Sequence, residues 1–331
     1  MIRVLFVMIL CGLIVQQSLA QSFEYDKRSP QQVYAVQKLS AQLRKHATAK
    51  QFRFSYVTDS IAHGKEDFVI NRTGNHIRIS GGSNRALIYA ALSIAEEVRN
   101  GSSINTIKPR EEKAFVPLRA IKYDLPWDSY RHSYALQLHD TTCRDTLYWK
   151  AFLDMMVENR FNSLTLWNLH PYTFLIKPTN FPEASPWTAA EMKQWQTLFH
   201  SIMRMAGERA IDVYIIPFNI FVTPEFAKAH NVAMDNLQHD YFVDGDTSEI
   251  IKRYTRECVT QMLNEYPEIT GMGITLGEGM GGMTPQQRED WMHETIIAGM
   301  RQANRKTKLI HRIPFSSTTG SLGVTSIETE K

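Results

Sequence analysis

One carboxylate, Glu278, lies in a glycine-rich stretch that follows a short apolar segment. The stretch reads Gly271-Met-Gly-Ile-Thr-Leu-Gly-Glu-Gly-Met-Gly-Gly-Met283. The apolar residues from Ile269 to Leu276 predict a buried strand, and glycines after a strand let the backbone bend and a substrate approach closely. Catalytic groups of α/β barrels stand on loops at the carboxyl ends of strands. Glu278 is therefore a candidate general acid, with an exposed glutamate in a glycine-rich turn as the alternative.

The ends of the other predicted strands carry aromatic and hydrogen-bonding side chains. A sugar needs both kinds, because a pyranose offers C–H faces to aromatic rings and hydroxyls to polar groups. Each residue alone also fits an ordinary role in core packing, a turn or a local ion pair, so the prediction rests on their coincidence. The candidate substrate-binding residues are Asp124, Trp127, Trp167, Asn168, His170, Asn219, His311 and Arg312, with Asp128 and Ser316 beside them.

The elements that position these residues alternate between strand and helix from Pro117 onward, which predicts an α/β fold with a parallel sheet and crossover helices. Five units are predicted where a closed (β/α)8 barrel needs eight, so the prediction is a partial TIM-type barrel, with an open five-stranded sheet as the alternative. Open edges would leave strands unpaired, which indicates a truncated product or a partner chain that supplies the remaining strands. The predicted strands are 118–124, 163–167, 212–216, 269–276 and 308–313, and the predicted helices are 148–158, 189–209, 248–266 and 290–304.

The preceding residues predict a small α+β domain in which nothing looks catalytic. Apolar residues at helical spacing predict helices over 30–46 and 86–98, and alternating residues predict strands at 52–57, 67–70 and 76–80. The polar run from Asn100 to Lys113 predicts a linker. The expected domains are thus 21–113, of α+β type, and 114–331, the partial barrel with the catalytic site.

The first twenty residues have the features of a secretory signal peptide. Arg3 precedes an apolar run from Val4 to Val15, and Ser18-Leu19-Ala20 offers a small-residue cleavage site. The apolar run is too short to span a bilayer. The sequence therefore predicts a cleaved signal, a periplasmic or secreted protein, and no membrane span.

Composition and charge exclude several classes of function. The chain has 331 residues and a net charge of +3, with no basic stripe that would indicate nucleic-acid binding. No metal or other cofactor is predicted, because His230 and His239 fall in a loop whose spacing matches no zinc motif. Cys143 and Cys258 are too few for a disulfide scaffold, and two independent buried thiols are favoured over a single disulfide.

The order of these features resembles two families of glycoside hydrolases, the α-glucuronidases of family 67 and, more distantly, the β-hexosaminidases of family 20. Both have a small α+β domain before a catalytic barrel, and Ile77 to Ala90 is similar to its strand–turn–helix. Leu276-Gly-Glu-Gly279 is similar to the Ser-Glu-Gly motif that carries the α-glucuronidase general acid after the fourth strand. His293 and the segment from Ile310 to Phe315 resemble the fifth unit of that family.

The resemblance implies a glycosidase that acts on oligosaccharides or polysaccharides and removes a uronic acid. Glu278 would protonate the leaving-group oxygen, Trp127 and Trp167 would stack on sugar rings, and His311 and Arg312 would meet the uronate carboxylate.

Two departures limit what the resemblance implies. Gly277 stands where the hexosaminidases carry an aspartate, and the α-glucuronidase base comes from later strands than the five predicted here. Weak or absent hydrolysis by this chain alone is therefore expected, because glycoside hydrolysis usually needs two carboxylates. A non-catalytic carbohydrate-binding protein and a non-functional gene fragment are the alternative hypotheses.

Overall fold

The computed structural model describes residues 21–45, 51–129, 133–218, 220–232, 247–275, 280 and 283–312. The chain divides into two compact units, Met1–Lys113 and Ala114–Lys331. Each unit contains a five-stranded sheet of its own.

The first unit is a mixed sheet with two long helices. Its strands follow the order β1-β2-β4-β3-β5, in which β1, β2 and β4 are parallel and β3 is antiparallel to both β4 and β5. The strands are β1 (Ser22–Glu24), β2 (Arg53–Thr58), β3 (Phe68–Thr73), β4 (His76–Gly81) and β5 (Arg110–Glu112), and the helices are α1 (Pro30–Leu43) and α2 (Asn84–Arg99).

Serine side chains define where both helices begin. The Ser29 hydroxyl accepts a hydrogen bond from the Gln32 backbone nitrogen, and Ser83 does the same for Ala86. Each bond satisfies one of the amide groups that a first helical turn leaves unpaired. Apolar residues at helical spacing, such as Leu39 in α1 and Leu87 in α2, are fully buried.

The linker predicted between Asn100 and Lys113 is partly wrong. Arg110–Glu112 is an edge strand that pairs with β3, and Phe68 lies opposite Glu112 in the register. Ile104 and Ile107, in the same polar run, are buried. The strand was missed because an edge strand pairs through its backbone and tolerates charged side chains.

The second unit contains a fully parallel sheet in sequential order, β10-β9-β8-β7-β6. Sequential parallel strands joined by helices are the arrangement of a (β/α)8 barrel, and the described residues supply five of its eight strands. The strands are β6 (Ala120–Asp124), β7 (Ser163–Asn168), β8 (Asp212–Pro217), β9 (Gly271–Thr275) and β10 (Lys308–Arg312).

Helices connect these strands, and three of the four predicted helices lie within two residues of their predicted bounds. Four shorter helices were not predicted. The last predicted helix starts five residues earlier than expected and contains a π-helical turn, His293–Ile297. The helices are α3 (Tyr134–Gln137), α4 (Asp140–Cys143), α5 (Thr146–Glu158), α6 (Tyr172–Leu175), α7 (Ala189–Glu208), α8 (Pro224–His230), α9 (Glu249–Glu265), α10 (Pro285–Met292) and α11 (Ala298–Gln302).

Two glycines of β9 allow close packing within the sheet. A Cβ atom at Gly273 would overlap the Ile216 side chain of β8, and one at Gly271 would overlap the Lys308 backbone of β10. The glycines before Glu278 therefore have a packing role in the strand itself.

The two cysteines of the second unit are free and buried, which confirms the expectation of two separate thiols. In the part of the chain that the structure describes, no helix is long and apolar enough to cross a membrane.

Candidate functional site

The carboxyl ends of the five parallel strands meet at one edge of the sheet, where the predicted site residues lie. Asp124 is paired with Trp167, Asn168 with Pro217, and Arg312 with Thr275. The parallel register therefore brings residues that are far apart in the chain, such as Asp124 and Arg312, to one rim. This is the edge at which α/β barrels place their active sites.

The side chains at this rim divide between two faces of the sheet. Tyr123 points toward the helices, because its ring contacts Trp149 and Phe152 of α5 at 4.9 and 5.2 Å. Its neighbour Asp124 and the paired Trp167 point the other way, since successive side chains of a strand alternate. We call the side of Asp124 and Trp167 the inner face and the other side the helix face.

Lys122, Asp124 and Trp167 form a compact group on the inner face. The Lys122 ammonium lies 3.2 Å from Asp124 Oδ1 and 4.3 Å from the centroid of the Trp167 ring. Trp167 Nε1 donates a hydrogen bond to Thr165 Oγ1 at 2.8 Å. Lys122 is exposed, Asp124 is half-buried and Trp167 is only 4% exposed. The group thus presents a cation and a carboxylate beside an indole of fixed orientation.

An apolar cluster supports Trp167 from the neighbouring strand. Leu169, Ile216 and Phe218 pack with it, and the Phe218 ring meets the indole edge-on at 6.0 Å. The inner face is therefore polar at β6 and apolar at β7 and β8. This combination suits a sugar, which needs both kinds of contact.

Trp127 lies on the helix face. Its ring contacts Trp195 and Phe199 of α7 and Phe174 of α6, at 4.8, 6.2 and 6.1 Å, and the residue is 7% exposed. The structure thus gives Trp127 the packing role that the sequence analysis considered for it individually, beside sugar stacking. Sugar stacking by Trp127 stays a prediction, and the structure places it apart from Trp167.

His170 is also on the helix face, in contact with α9. Its ring is parallel to that of Tyr254, with planes 1° apart and centroids 5.6 Å apart, and Nε2 is 3.0 Å from the Tyr254 hydroxyl. Burial lowers the pKa of His170 to about 4, so the imidazole is neutral near pH 7. Its Nδ1 atom is buried and has no hydrogen-bond partner among the described residues.

Asn168 connects the loops that follow β6 and β7. Its side-chain nitrogen donates a hydrogen bond to the Trp127 carbonyl oxygen, and the residue is 1% exposed. The Phe218 backbone nitrogen donates to the carbonyl oxygens of both Asn168 and Leu169 at 3.2 Å, which ties in the loop after β8. Asn168 therefore links the end of β7 to the loops that follow β6 and β8.

Asp128 combines a left-handed backbone conformation with a partly buried carboxyl group. Its φ angle is 47°, in the left-handed region that aspartate tolerates better than most residues. Burial raises the pKa of its carboxyl group to about 6, against the opposite effect of a hydrogen bond from the His170 backbone nitrogen. Asp128 therefore changes its charge in mildly acidic solution.

The remaining predicted residues are described only in part. Glu278, Asn219 and Ser316 lie outside the described residues. His311 is half-buried and pairs with Ile274, and Arg312 enters the description only through its backbone pairing with Thr275. Of the eight predicted substrate-binding residues, the structure brings Asp124 and Trp167 together on the inner face and places Trp127 and His170 on the helix face.

Two residues of this region were missed by the sequence analysis. Lys122 could have been found, because it is two positions before Asp124 in a predicted strand and so shares its face. Tyr254 gave no signal, since it is one of several buried residues at helical spacing in α9 and lies 84 positions from His170. Among the residues that the structure describes, no group of three or more His, Cys, Asp or Glu side chains could hold a metal ion.

The fold and the rim together define a class: an α/β protein with a barrel-type parallel sheet and a polar–aromatic site at the strands' carboxyl ends. Among solved structures, the chain is similar to an enzyme of glycoside hydrolase family 138 that targets pectin rhamnogalacturonan II. The TM-score is 0.77 and the identity 23%, over 90% of this chain and 36% of that one. The described architecture is therefore that of a glycoside hydrolase fold.

Two β-N-acetylhexosaminidases of more distant sequence are also similar. The enzyme from Bacteroides fragilis NCTC 9343 gives a TM-score of 0.58 at 12% identity, over 90% of this chain and 62% of its own. A mutant β-hexosaminidase from Streptomyces plicatus, in complex with its product GlcNAc, gives 0.59 at 12% identity, over 89% and 61%. The likeness to the β-hexosaminidases of family 20 is thus confirmed at the level of the fold, and the likeness to family 67 stays a prediction.

The chain spans about a third of the length of the family 138 enzyme and about three fifths of the two hexosaminidases. No protein-family model matches the sequence, and no curated protein matches it. These identities establish a fold, and the chemistry must be argued from the site.

Proposed function

We propose that this chain forms the saccharide-binding side of a glycoside hydrolase that acts on polysaccharide-derived oligosaccharides. The observation that carries the proposal is the inner-face group, in which Lys122 and Asp124 adjoin the Trp167 ring at the carboxyl ends of β6 and β7. The target of the family 138 enzyme supports a pectin-derived substrate, and the sequence of residues 1–20 supports a protein outside the cytoplasm.

The proposed substrate carries a uronic acid at the position that is removed. A uronate has a carboxylate that neutral sugars lack, and Lys122 places a partly exposed ammonium group on the inner face to meet it. Cations that bind an anion beside a low-dielectric aromatic wall interact more strongly than in open water. His311 and Arg312, which the family resemblance assigns to the same carboxylate, belong to β10 on the far side of the five strands.

Glu278 is the proposed general acid, protonating the glycosidic oxygen as the bond to the leaving group breaks. In the sequence it follows Thr275, the last residue of β9, by three positions. Hydrolysis also needs a second carboxylate. We propose that it comes from barrel strands beyond the five described, supplied by further polypeptide or by a partner chain, and that the described part alone turns over weakly.

The test is saccharide binding and hydrolysis measured on the same preparations. Oligosaccharides from rhamnogalacturonan II serve as the probe and a neutral cello-oligosaccharide as the comparator. For an enzyme, Glu278→Gln abolishes any release of uronic acid while binding persists, and Trp167→Phe weakens binding. Phenylalanine is preferred to alanine because removing a buried tryptophan destabilises a protein by about 3–5 kcal/mol. Equal binding of both saccharides, unchanged in Trp167→Phe, would contradict the proposal.

A carbohydrate-binding protein without catalysis is the second candidate, and the inner-face group of Lys122, Asp124 and Trp167 supports it to the same degree. This candidate predicts that wild-type protein releases no uronic acid, whereas binding survives Glu278→Gln and weakens in Trp167→Phe. A non-functional fragment is the third, and one cooperative melting transition in the second unit would contradict it.

A further inference from the structure

Four hydrogen bonds join the loop after β6 to the last two residues of β7 and to the loop that follows them. The Leu125 backbone nitrogen donates to the Trp167 carbonyl oxygen at 3.0 Å, and the Asn168 side-chain nitrogen donates to the Trp127 carbonyl. Asp128 accepts the other two. Its carbonyl oxygen accepts from the Leu169 nitrogen at 2.9 Å, and its Oδ2 accepts from the His170 nitrogen at 2.8 Å.

We propose that Asp128 is a positioning residue of the saccharide site, which clamps the loop after β7 through its carbonyl and carboxyl oxygens together. This assignment rests on the proposed function, because the clamped loop directly follows the end of β7, where Trp167, the aromatic residue of the inner face, is located. Leu169, whose nitrogen is held, belongs to the apolar cluster that packs with Trp167.

Asp128 is more than an ordinary turn residue. An aspartate in a turn bonds the backbone two or three positions on, as Asp59 does with the nitrogens of Ile61 and Ala62 in the first unit. The amides that Asp128 binds belong to residues 169 and 170, and the latter is 42 positions away on the next strand's loop. The bonds therefore fix one rim loop relative to another.

The backbone of Asp128, which makes both bonds, is in the left-handed region. With φ at 47°, the carbonyl and the side chain turn toward the same neighbouring loop. Such a conformation costs free energy for most residues and persists where the surroundings hold it in place. Asparagine tolerates this region and keeps an oxygen acceptor, whereas alanine keeps neither advantage.

The test compares Asp128→Asn with Asp128→Ala, with Asp59→Ala as the matched control. Amide hydrogen exchange at Leu169 and His170 measures the clamp without any ligand, and titration with rhamnogalacturonan II oligosaccharides measures the site. In Asp128→Ala we expect both the exchange rates at these amides and the dissociation constant to rise about tenfold, as expected from the loss of one hydrogen bond. In Asp128→Asn and Asp59→Ala, both stay within about twofold of wild type.

The outcomes separate the clamp from the proposed function. Unchanged exchange at Leu169 and His170 in Asp128→Ala would overturn the clamp even if saccharide binds the wild-type protein. Raised exchange with unchanged affinity would overturn the positioning role. If wild-type protein binds no saccharide, the proposed function fails and the positioning role with it, whereas the exchange data still decide the clamp. Rescue of both readouts by asparagine supports the assignment, because a purely steric defect would not be rescued in this way.

Discussion

The Tyr254 ring lies parallel to the His170 imidazole, and its hydroxyl is 3.0 Å from His170 Nε2. This pair connects the loop after β7 to helix α9 and is almost fully buried. The bond gives His170 a partner for one ring nitrogen, and the stacked rings hold the imidazole in one orientation. The pair therefore contributes to the stability of the second unit and sets how that stability responds to acid.

Tyr254→Phe should destabilise the second unit by roughly 1–3 kcal/mol, because it leaves a buried imidazole nitrogen without a partner. Tyr172→Phe is the matched control. The Tyr172 hydroxyl is buried with no hydrogen-bond partner among the described residues, and its ring also contacts His170. We expect this variant to be neutral or slightly more stable. Urea unfolding of both variants checks the difference, and equal losses would contradict the role given to the Tyr254 hydroxyl.

The free energy of unfolding should depend more steeply on pH in Asp128→Asn than in the wild type. The folded pKa of Asp128 is raised to about 6, so its contribution is full below the unfolded value near 4 and is lost as pH rises toward 6. The folded pKa of His170 is lowered to about 4, so its contribution is present above about 6.5 and is lost as pH falls toward 4. The two effects oppose each other between pH 4 and 6.

Of these two effects, only that of His170 remains when the Asp128 carboxylate is removed. In Asp128→Asn, we expect the free energy of unfolding to fall by about 3 kcal/mol between pH 6.5 and 4, since each pKa unit corresponds to about 1.4 kcal/mol. The wild-type value should fall less over the same range. The Asp128 effect is smaller than its pKa alone suggests, because the residue is only partly buried. Parallel curves for the two proteins would contradict this account.

Gly273→Ala should destabilise the parallel sheet by about 1–3 kcal/mol, because the added Cβ atom would overlap the Ile216 side chain. Ile216→Val in the same protein should recover part of the loss by removing the overlapping methyl group. Gly207→Ala in α7 is the control, since no atom lies within 4 Å of an added Cβ. This variant should gain about 0.5 kcal/mol. Thermal melts of all four proteins measure the order of stability.

Lys122→Met should weaken binding of uronate-bearing oligosaccharides about tenfold, because the ammonium group is lost while most of the aliphatic chain remains. It should also reduce the salt dependence of that binding. Lys150→Met is the control, as Lys150 is an exposed α5 residue paired with Asp154. Calorimetric titration at low and high salt provides the measurement. An unchanged affinity in Lys122→Met would remove Lys122 from the proposed site.

Much of the second unit could be predicted from the sequence. Segments such as Ser163–Asn168 and Asp212–Pro217 are short strands with apolar residues, and they alternate with helices whose apolar residues have helical spacing. This alternation predicts a parallel sheet. Edge strand β5 could not be predicted, since its residues are charged and only its backbone takes part in pairing. The placement of Asp124 and Trp167 on one rim followed from strand order alone, because parallel strands bring their carboxyl ends to the same edge.

The sequence by itself determined the alternation of elements, the parallel sheet and the residue types at its carboxyl edge. Only the tertiary structure decided which of those residues share a face. In the sequence, Trp127 and Trp167 are both aromatic residues at the carboxyl end of a predicted strand. In the structure, Trp127 packs against α7, whereas Trp167 adjoins Lys122 and Asp124. The physical reason is that the path of each loop beyond its strand depends on hydrogen bonds to distant residues, such as those of Asp128 with Leu169 and His170, which no local pattern encodes.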